Sequence, residues 1–477
     1  MGFEIEYGIL KSYNYDEGTT EAVIPEGVTE IRMAAFSECD WLTEIYISST
    51  VRSIGRDAFR NCFGLQRITV SPENPCFSSL DGVLFDKEQK ILLTCPCARP
   101  DREYHIPQTV TEIAAEAFFC SETGCTELES VIIPDSVTAI GERAFQLCEK
   151  LRGVFIPAGV KQIGEAAFAG GDELRGIEVS PENPYFCSVD GVLFDKAMTT
   201  LIQYPAGAPA HSCAVPEGVR FIGAKAFAFT CALKAVALPD SITGIGKGAF
   251  ACCYYLESVR LPESLNRLGE AAFSCCKSLR EVTVPEGVVR IEDRTFRSCT
   301  GLTRLTLPDS LTSIGHYAFD YCTGLKSIDI PGGVTTVGRS AFWQAEALES
   351  ITLPEGVTCI DELTFKGCKS LKSVTLPESL KTIRNSAFLH CTELESIVIP
   401  EGVTHIGAGA FCGCSRLRSI TLPGKVKTIC EQAFGKCGAL QSIIIGRAVI
   451  PASELDKEDI TLKLLHELTW KAMREDP

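Results

Sequence analysis

Cysteine is the residue with the widest chemical potential in this 477-residue chain, which contains 24 of them. Thiols can form disulfides, bind metal ions or act as nucleophiles. Eleven lie three residues after a phenylalanine in a recurring pattern: Cys39, Cys62, Cys148, Cys253, Cys276, Cys299, Cys322, Cys368, Cys391, Cys414 and Cys437. Elsewhere the same position holds Ser121, Gly171, Thr230 or Ala345, which are also small. We expect these thiols to pack as small apolar core groups; disulfides and metal binding are the alternatives.

Closely spaced cysteines are the candidates for a metal site. Cys95 and Cys97 flank a proline, and the pairs Cys252-Cys253 and Cys275-Cys276 each add a second thiol beside the recurring one. A zinc site needs four converging ligands, usually as two pairs with matched spacing. These pairs do not provide that arrangement, so we predict no metal site.

Candidate catalytic and phosphate-binding groups are also sparse. The six histidines lie in different copies of the pattern, at positions 105, 211, 316, 390, 405 and 466, and none is spaced as a metal or nucleophile motif. The stretch Gly244-Ile-Gly-Lys-Gly248 resembles a phosphate-binding loop but lacks the serine or threonine that follows the lysine there. We therefore predict no catalytic residues, no cofactor and no enzymatic activity.

The recurring pattern itself is the dominant feature of the chain. Fifteen copies are anchored by Phe36, Phe59, Phe118, Phe145, Phe168, Phe227, Phe250, Phe273, Phe296, Phe319, Phe342, Phe365, Phe388, Phe411 and Phe434. From Phe227 onward the step is 23 residues every time. A fixed period of this length predicts a solenoid, in which each repeat buries its apolar face only against its neighbours.

Each copy predicts two elements. In the copy that begins at Leu348, Leu-x-x-Ile-x-Leu-Pro alternates as a short strand does, and the proline ends it. The second half returns the chain through an extended piece and a short helical turn, because Ala, Phe and Cys recur there at near-helical spacing. A single copy cannot bury enough surface to fold alone, so stacking is required.

Two insertions and two ends depart from the period. Residues 71–106 and 180–215 are near-duplicates that begin with Ser-Pro-Glu-Asn-Pro and continue into Asp-Gly-Val-Leu-Phe-Asp-Lys, and we predict a β-hairpin in each. We further predict an N-terminal β cap at residues 1–24, the solenoid at 25–446 and a C-terminal cap at 447–477. The C-terminal cap contains an amphipathic helix at residues 454–474.

The repeat closely resembles the bacterial surface antigen A (BspA-like) type of leucine-rich repeat. Residues 394–411 match that pattern closely, and the resemblance extends over roughly residues 20–446. It implies a right-handed solenoid with parallel strands on its concave side, and a role in binding or adhesion. Secreted members of the family are associated with attachment to host matrix proteins and with coaggregation. The resemblance supplies no catalytic residues.

The outward positions of the strands, on the concave face, are the predicted partner-binding surface together with the projecting hairpins of the two insertions, because curved solenoids usually bind on the strand side. The varied N-terminal half resembles an interface more than the threonine-rich C-terminal half does. We select seven residues as candidate contacts: Tyr46, Thr69, Ile132, Phe155, Glu178, Arg260 and Asp329. Exposed aromatic side chains are typical centres of protein interfaces.

The net charge and the thiol content of the chain indicate its classes of partner and its cellular location. The formal net charge of −16 disfavours nucleic acid and anionic membranes. A stripe of carboxylates that follows the prolines is either a solvated turn edge or a rim for a basic partner. We see no secretory signal and no membrane-spanning run, and the many thiols favour the cytoplasm. The leading prediction is therefore a cytoplasmic protein-interaction scaffold without membrane insertion, and the alternative is a cell-surface or secreted adhesin.

Overall fold

The computed structural model describes residues 2–14, 18–120, 123–446 and 448–451. The chain divides into two compact units, Met1–Ala210 with Gly223–Ala232, and His211–Ile222 with Leu233–Pro477. Within the described residues both units consist of β-strands joined by turns. The predicted C-terminal helix at 454–474 lies outside these residues.

The first unit contains 22 strands. They are β1 (Gly2–Glu6), β2 (Ile9–Asn14), β3 (Glu21–Val23), β4 (Glu30–Ile31), β5 (Glu44–Ile47), β6 (Ser53–Ile54), β7 (Arg67–Val70), β8 (Phe77–Leu80), β9 (Val83–Asp86), β10 (Ile91–Thr94), β11 (Glu103–His105), β12 (Glu112–Ile113), β13 (Phe119–Cys120), β14 (Thr123–Gly124), β15 (Ser130–Ile132), β16 (Ala139–Ile140), β17 (Gly153–Ile156), β18 (Gln162–Ile163), β19 (Gly176–Val179), β20 (Phe186–Val189), β21 (Val192–Asp195) and β22 (Thr200–Gln203).

The second unit continues the same alternation of longer and shorter strands. They are β23 (Ser212–Ala214), β24 (Phe221–Ile222), β25 (Ala235–Ala237), β26 (Gly244–Ile245), β27 (Ser258–Arg260), β28 (Arg267–Leu268), β29 (Glu281–Thr283), β30 (Arg290–Ile291), β31 (Arg304–Thr306), β32 (Ser313–Ile314), β33 (Thr336–Val337), β34 (Ser350–Thr352), β35 (Cys359–Ile360), β36 (Ser373–Thr375), β37 (Thr382–Ile383), β38 (Ser396–Val398), β39 (His405–Ile406), β40 (Ser419–Leu422), β41 (Thr428–Ile429), β42 (Ser442–Ile445) and β43 (Ala448–Pro451).

Equivalent strands of successive coils pair in parallel, as the repeat predicts. The longer strands form sheets such as β11-β15-β17-β19, and the shorter ones form sheets such as β35-β37-β39-β41. Residues 23 apart are partners, for example Ile420 and Ile443. The middle residue of most longer strands is buried between two outward neighbours, as in Ser258–Arg260. Each unit is therefore a parallel β-solenoid within the described residues.

The anchoring phenylalanines form a buried stack inside each unit. All fifteen are buried, most of them completely. In the second unit, successive rings from Phe250 to Phe434 lie with centroids 5.1–5.9 Å apart and nearly parallel planes. In the first unit Phe118, Phe145 and Phe168 stack in the same way. Such separations are favourable for aromatic pairs.

The predicted helical turn around each phenylalanine is wrong. The residues two before and two after the phenylalanine adopt positive φ in coil after coil, as at Ala271 (φ 54°) and Cys275 (φ 63°). Two left-handed residues four positions apart prevent a helix. The amides of Ala271, Phe273 and Cys275 instead donate to carbonyls of the next coil at 2.7–2.9 Å. The turn is a third line of hydrogen bonds between coils.

The two insertions form antiparallel strands, β8-β9-β10 and β20-β21-β22. A buried asparagine anchors each one. Asn74 Nδ2 donates to the carbonyls of Ser48 and Val51, and its Oδ1 accepts from the amides of Cys76 and Phe77. Asn183 makes the equivalent four contacts in the second insertion. The shared Ser-Pro-Glu-Asn-Pro sequence therefore supplies the anchor of the insertion.

The recurring cysteines have a specific role in the stack. The thiol donates to the carbonyl of the phenylalanine one coil earlier, with S···O distances of 3.0–3.6 Å, at Cys62, Cys148, Cys276, Cys299, Cys322, Cys368, Cys391, Cys414 and Cys437. The Phe296 carbonyl, for example, accepts from the amide of Cys299 at 3.2 Å and from the Cys322 thiol at 3.1 Å. A carbonyl oxygen has two lone pairs, so this arrangement uses both of them.

These contacts predict an unequal response to cysteine replacement. Cys322→Ala removes a buried sulfur and one hydrogen bond to Phe296, so we expect the free energy of unfolding to fall by about 1–2 kcal/mol. Ala345→Cys restores a missing thiol at the same repeat position and should not destabilise the protein. Denaturant midpoints measure both effects. Cys359→Ala, at a half-buried position outside the pattern, is the control. An equal loss in Cys322→Ala and Cys359→Ala would contradict the proposed role.

Candidate functional site

Four outward side chains form a continuous row on sheet β11-β15-β17-β19. His105 pairs in register with Ile132, and Phe155 pairs with Glu178. Strand β15 joins the two pairs because Ser130 lies opposite Gly153, which places Ile132 beside Phe155. Ile132 is 46% exposed and Phe155 is 50% exposed. We call these four residues the apolar row, since its centre is an exposed isoleucine and an exposed phenylalanine.

A network of ion pairs borders the apolar row. Arg102 Nη1 lies 3.0 Å from Glu129 Oε1, and Arg152 Nη1 lies 3.1 Å from Glu129 Oε2. Arg152 Nε also lies 3.3 Å from Glu173 Oε2. Arg102, Glu129 and Arg152 immediately precede β11, β15 and β17, so charges of alternating sign follow this edge of the row as far as β17, and Arg175 precedes β19. Because the pairs are largely exposed, their contribution to stability is small.

The other predicted contact residues lie elsewhere. Tyr46 and Thr69 are register partners on sheet β3-β5-β7, both half-buried, and the Thr69 hydroxyl donates to Glu44 at 2.8 Å. Arg260 is exposed on β27 of the second unit. Asp329 is exposed as expected, but residues 325–330 form no strand. The structure therefore brings together three of the seven residues, Ile132, Phe155 and Glu178, and a separate pair, Tyr46 and Thr69.

The structure adds residues that were not selected from the sequence. His105, taken as an ordinary surface histidine, extends the apolar row, and its Nε2 lies 2.7 Å from Glu103 Oε1. Val398 is an outward strand residue of the second unit that is 67% exposed. The 23-residue spacing identifies Val398 as outward, whereas His105 follows an insertion and is placed by the register of β11.

The carboxylates that follow the prolines have structural partners. Glu286 accepts from the amides of Asp309 and Ser310 in the next coil, at 3.0 and 3.1 Å. These hydrogen bonds lower the pKa of Glu286. Glu355 makes longer contacts with the equivalent amides of Glu378 and Ser379. These two carboxylates therefore cap turns of the next coil, and their position after the prolines does not require a basic partner.

A buried charge lies one residue after the phenylalanine at Asp320. Its side chain is fully buried, and Oδ2 lies 3.0 Å from Arg297 Nε. Oδ1 has no hydrogen-bond partner within the described part of the chain. Burial raises the pKa of Asp320 to about 6, and Arg297 opposes the shift. Nothing in the repeat pattern indicated this group.

The thiols differ strongly in their environment. Within the described residues, twenty-two cysteines form no disulfide and Cys97 is disulfide-bonded. Burial raises the pKa of recurring cysteines such as Cys299 and Cys391. Cys275 is half-buried, and its pKa is lowered by hydrogen bonds from Cys252 and Ser274 and by Arg297. The recurring thiols are therefore poor nucleophiles, and Cys275 is the more reactive type.

No cluster of three or more His, Cys, Asp or Glu side chains suited to a metal ion occurs among the described positions. No helix there could cross a membrane.

Comparison with known families identifies the repeat. The model of the BspA type leucine-rich repeat region matches six copies, over residues 10–91, 101–195, 220–348 and 335–454. These segments cover most of the chain. The chain belongs to this BspA-type family. The resemblance inferred from the repeat pattern is thus confirmed, and no curated protein sequence matches the chain.

Several solved structures are similar to this BspA-type chain. A leucine rich cell surface protein from Faecalibacterium prausnitzii shares 29% identity, with a TM-score of 0.49 over 69% of this chain and 89% of its own. A leucine-rich repeat protein from Eubacterium ventriosum shares 21%, with a TM-score of 0.43 over 85% and 88%. The pneumococcal vaccine antigen PcpA shares 21%, with a TM-score of 0.42 over 85% and 90%.

Asp320 predicts a pH-dependent effect on stability. Its pKa is about 6 in the folded protein, against 3.8 for an ordinary aspartate. The folded state therefore binds this proton more tightly, and the stability that it contributes is lost as pH rises from about 4 to about 6. Asparagine cannot titrate, so Asp320→Asn should become progressively more favourable relative to wild type across this range.

Denaturant midpoints at pH 4, 5, 6 and 7 measure the effect. Asp329→Asn, at an exposed position, controls for the change in net charge. A difference between Asp320→Asn and wild type that stays constant with pH would contradict the prediction.

Proposed function

We propose that this protein is a non-enzymatic scaffold that binds another protein through the apolar row of its first unit. Membership of a leucine-rich-repeat family supports an interaction role. The observation that carries the proposal is the adjacency of Ile132 and Phe155, each about half exposed on a regular sheet. Most other longer strands display threonine or charged residues outward. Val23 beside Tyr46 and Val449 beside Ile444 also form apolar pairs, but neither pair includes an aromatic ring as exposed as that of Phe155.

The composition of the row fits a protein interface. Phe155 offers a rigid aromatic surface, and Ile132 extends it without adding a polar group. The ion pairs of Arg102, Glu129 and Arg152 form a polar border that can exchange partners on binding. Interfaces commonly combine an apolar centre with such a polar rim. The sheet below holds the row rigid, which limits the entropy lost on association.

The chemistry of the row also indicates the kind of partner. The centre requires an apolar side chain or loop on the partner. His105 and Glu178 at the two ends of the row can accept or donate hydrogen bonds. The net charge of −16 favours approach of a partner that is not itself strongly acidic. A basic partner remains a prediction from net charge, since the carboxylates at Glu286 and Glu355 have partners within the chain.

Phe155→Ala should weaken partner binding by roughly 30-fold, because truncation of a central interface aromatic typically costs about 2 kcal/mol. The measurement is affinity capture from the source cells with quantitative mass spectrometry, followed by titration of the captured protein. Val398→Ala, which removes a more exposed apolar side chain from a longer strand of the second unit, is the matched control. If the wild type, Phe155→Ala and Val398→Ala captured the partner equally well, the result would contradict the apolar row as the binding surface.

A surface adhesin is the second candidate, and its basis is the adhesion role implied by the BspA-type family. The two functions differ in location. Fractionation of the source cells with an antibody to this chain, combined with a thiol titration of the native protein, separates them. A soluble intracellular protein with most of its cysteines reduced would contradict the adhesin. Recovery from the cell envelope or the medium would contradict the cytoplasmic scaffold.

A further inference from the structure

A cavity of ≈ 230 Å³ lies in the first unit, where the first insertion interrupts the phenylalanine stack. Phe59 stacks on Phe36 at 5.6 Å on one side. On its other side the insertion brings leucines from β9 and β10, Leu84 and Leu93, which line the cavity together with Phe59. Aliphatic side chains do not fill the volume of a stacked ring. The cavity therefore follows from the break in the period.

The walls of this cavity are mainly apolar. The apolar lining comes from Ile54, Phe59, Leu65, Phe77, Leu84, Leu93 and Phe119. Arg56 and Arg60 also line the cavity and are exposed, so its mouth lies beside them. For comparison, an engineered apolar cavity of about 150 Å³ stays dry and binds benzene. The first-insertion cavity has room for a ligand of that size with one substituent.

Two carboxyl groups, from Asp57 and Glu116, give the cavity its polar side. Two arginines contact the carboxylate of Glu116. Arg56 donates to both of its oxygens, at 3.2 and 2.7 Å, and Arg143 Nη1 donates to Oε1 at 3.3 Å. Burial and the neighbouring carboxyl group of Glu116 raise the pKa of Asp57. Whether Asp57 is protonated or ionised, it keeps an oxygen that can accept a further hydrogen bond.

The second insertion provides an internal comparison, because each residue of the first has a counterpart 109 positions later in the sequence. Its equivalent cavity is smaller, ≈ 140 Å³. At the position of Cys95 it carries Tyr204, whose ring stacks on Phe227 at 5.1 Å. In the first copy the ring beside the corresponding Phe118 comes instead from Tyr104, at 6.1 Å, where the second copy has Cys213. The two carboxylates of the first cavity have no counterparts there, since Ala166 replaces Asp57 and Lys225 replaces Glu116, and Glu165 lines the second cavity at the position of Arg56. Only the first copy thus combines the larger volume with the Asp57–Glu116 pair.

We infer that the first-insertion cavity binds a small ligand of one ring, apolar in its body and carrying a single hydrogen-bond donor that Asp57 accepts. A phenol has this chemistry. The ring replaces the missing member of the stack beside Phe59, and its hydroxyl points toward the carboxyl pair. A ligand without the donor forgoes the hydrogen bond to Asp57. A carboxylate ligand also lacks the donor, and its charge must be desolvated against the apolar walls, although Arg56 and Arg60 at the mouth attract it. Both bind more weakly.

Fluorine NMR titration of the full chain tests the inference with three probes: 4-fluorophenol, fluorobenzene and 4-fluorobenzoate. We expect saturable binding of 4-fluorophenol, roughly fivefold tighter than fluorobenzene, which corresponds to one hydrogen bond. Asp57→Ala, the residue of the second copy, should remove the difference between these two probes. Binding of 4-fluorobenzoate should be the weakest of the three.

Cavity-filling variants show whether the probes bind at this place. Cys95→Tyr combined with Tyr104→Cys reproduces the ring position of the second copy, and Leu93→Phe fills the cavity from β10 if the first variant does not fold. Either should abolish binding of 4-fluorophenol. Ile202→Phe, the same change as Leu93→Phe at the equivalent position of the second copy, should leave it unchanged. Absence of saturable binding, tighter binding of 4-fluorobenzoate, or binding that survives both filling variants would overturn the inference.

Discussion

The structure depends on one constraint: a 23-residue coil cannot satisfy its own backbone polar groups or cover its own apolar side chains. Each coil uses its neighbours for both. The longer strands, the shorter strands and the turns around the phenylalanines form three lines of hydrogen bonds between coils. The phenylalanine stack runs between these lines. Because an unpaired buried amide or carbonyl is costly, an error in the register of one coil would be penalised along all three lines at once.

The cysteines follow from the same constraint. The carbonyl of each phenylalanine lies at the centre of the coil, where water cannot reach its second lone pair. A side chain there must be small, apolar enough for complete burial, and able to donate one weak hydrogen bond. Cysteine meets all three requirements, whereas alanine lacks the donor and serine adds a more polar group that is costly to bury. The high thiol content is therefore a property of the solenoid core, and it does not by itself indicate a redox compartment.

Much of the fold could be predicted because the repeat spacing, the prolines and the alternation all report on local geometry. The turn could not. Ala-Phe-x-x-Cys has the spacing of a helix face, but residues such as Arg294 and Ser298 adopt left-handed conformations that the sequence does not reveal. Their cost is offset by hydrogen bonds to the next coil, which exist only after stacking. The exposure of Ile132 and Phe155 followed from alternation, while the cavity depends on how an insertion packs.

The number of neighbouring coils that a residue contacts also determines whether that position can vary from copy to copy. Positions in the stack are repeated almost unchanged, because a change at one of them disturbs two neighbouring coils. The outward strand residues and the insertions contact fewer neighbours, so they can differ from copy to copy. The two insertions began as duplicates and retain the asparagine anchors Asn74 and Asn183. They differ at the cavity, where the first has Cys95 and the second has Tyr204 at the equivalent position. Divergence at positions that the anchor does not constrain is what a newly acquired ligand preference requires.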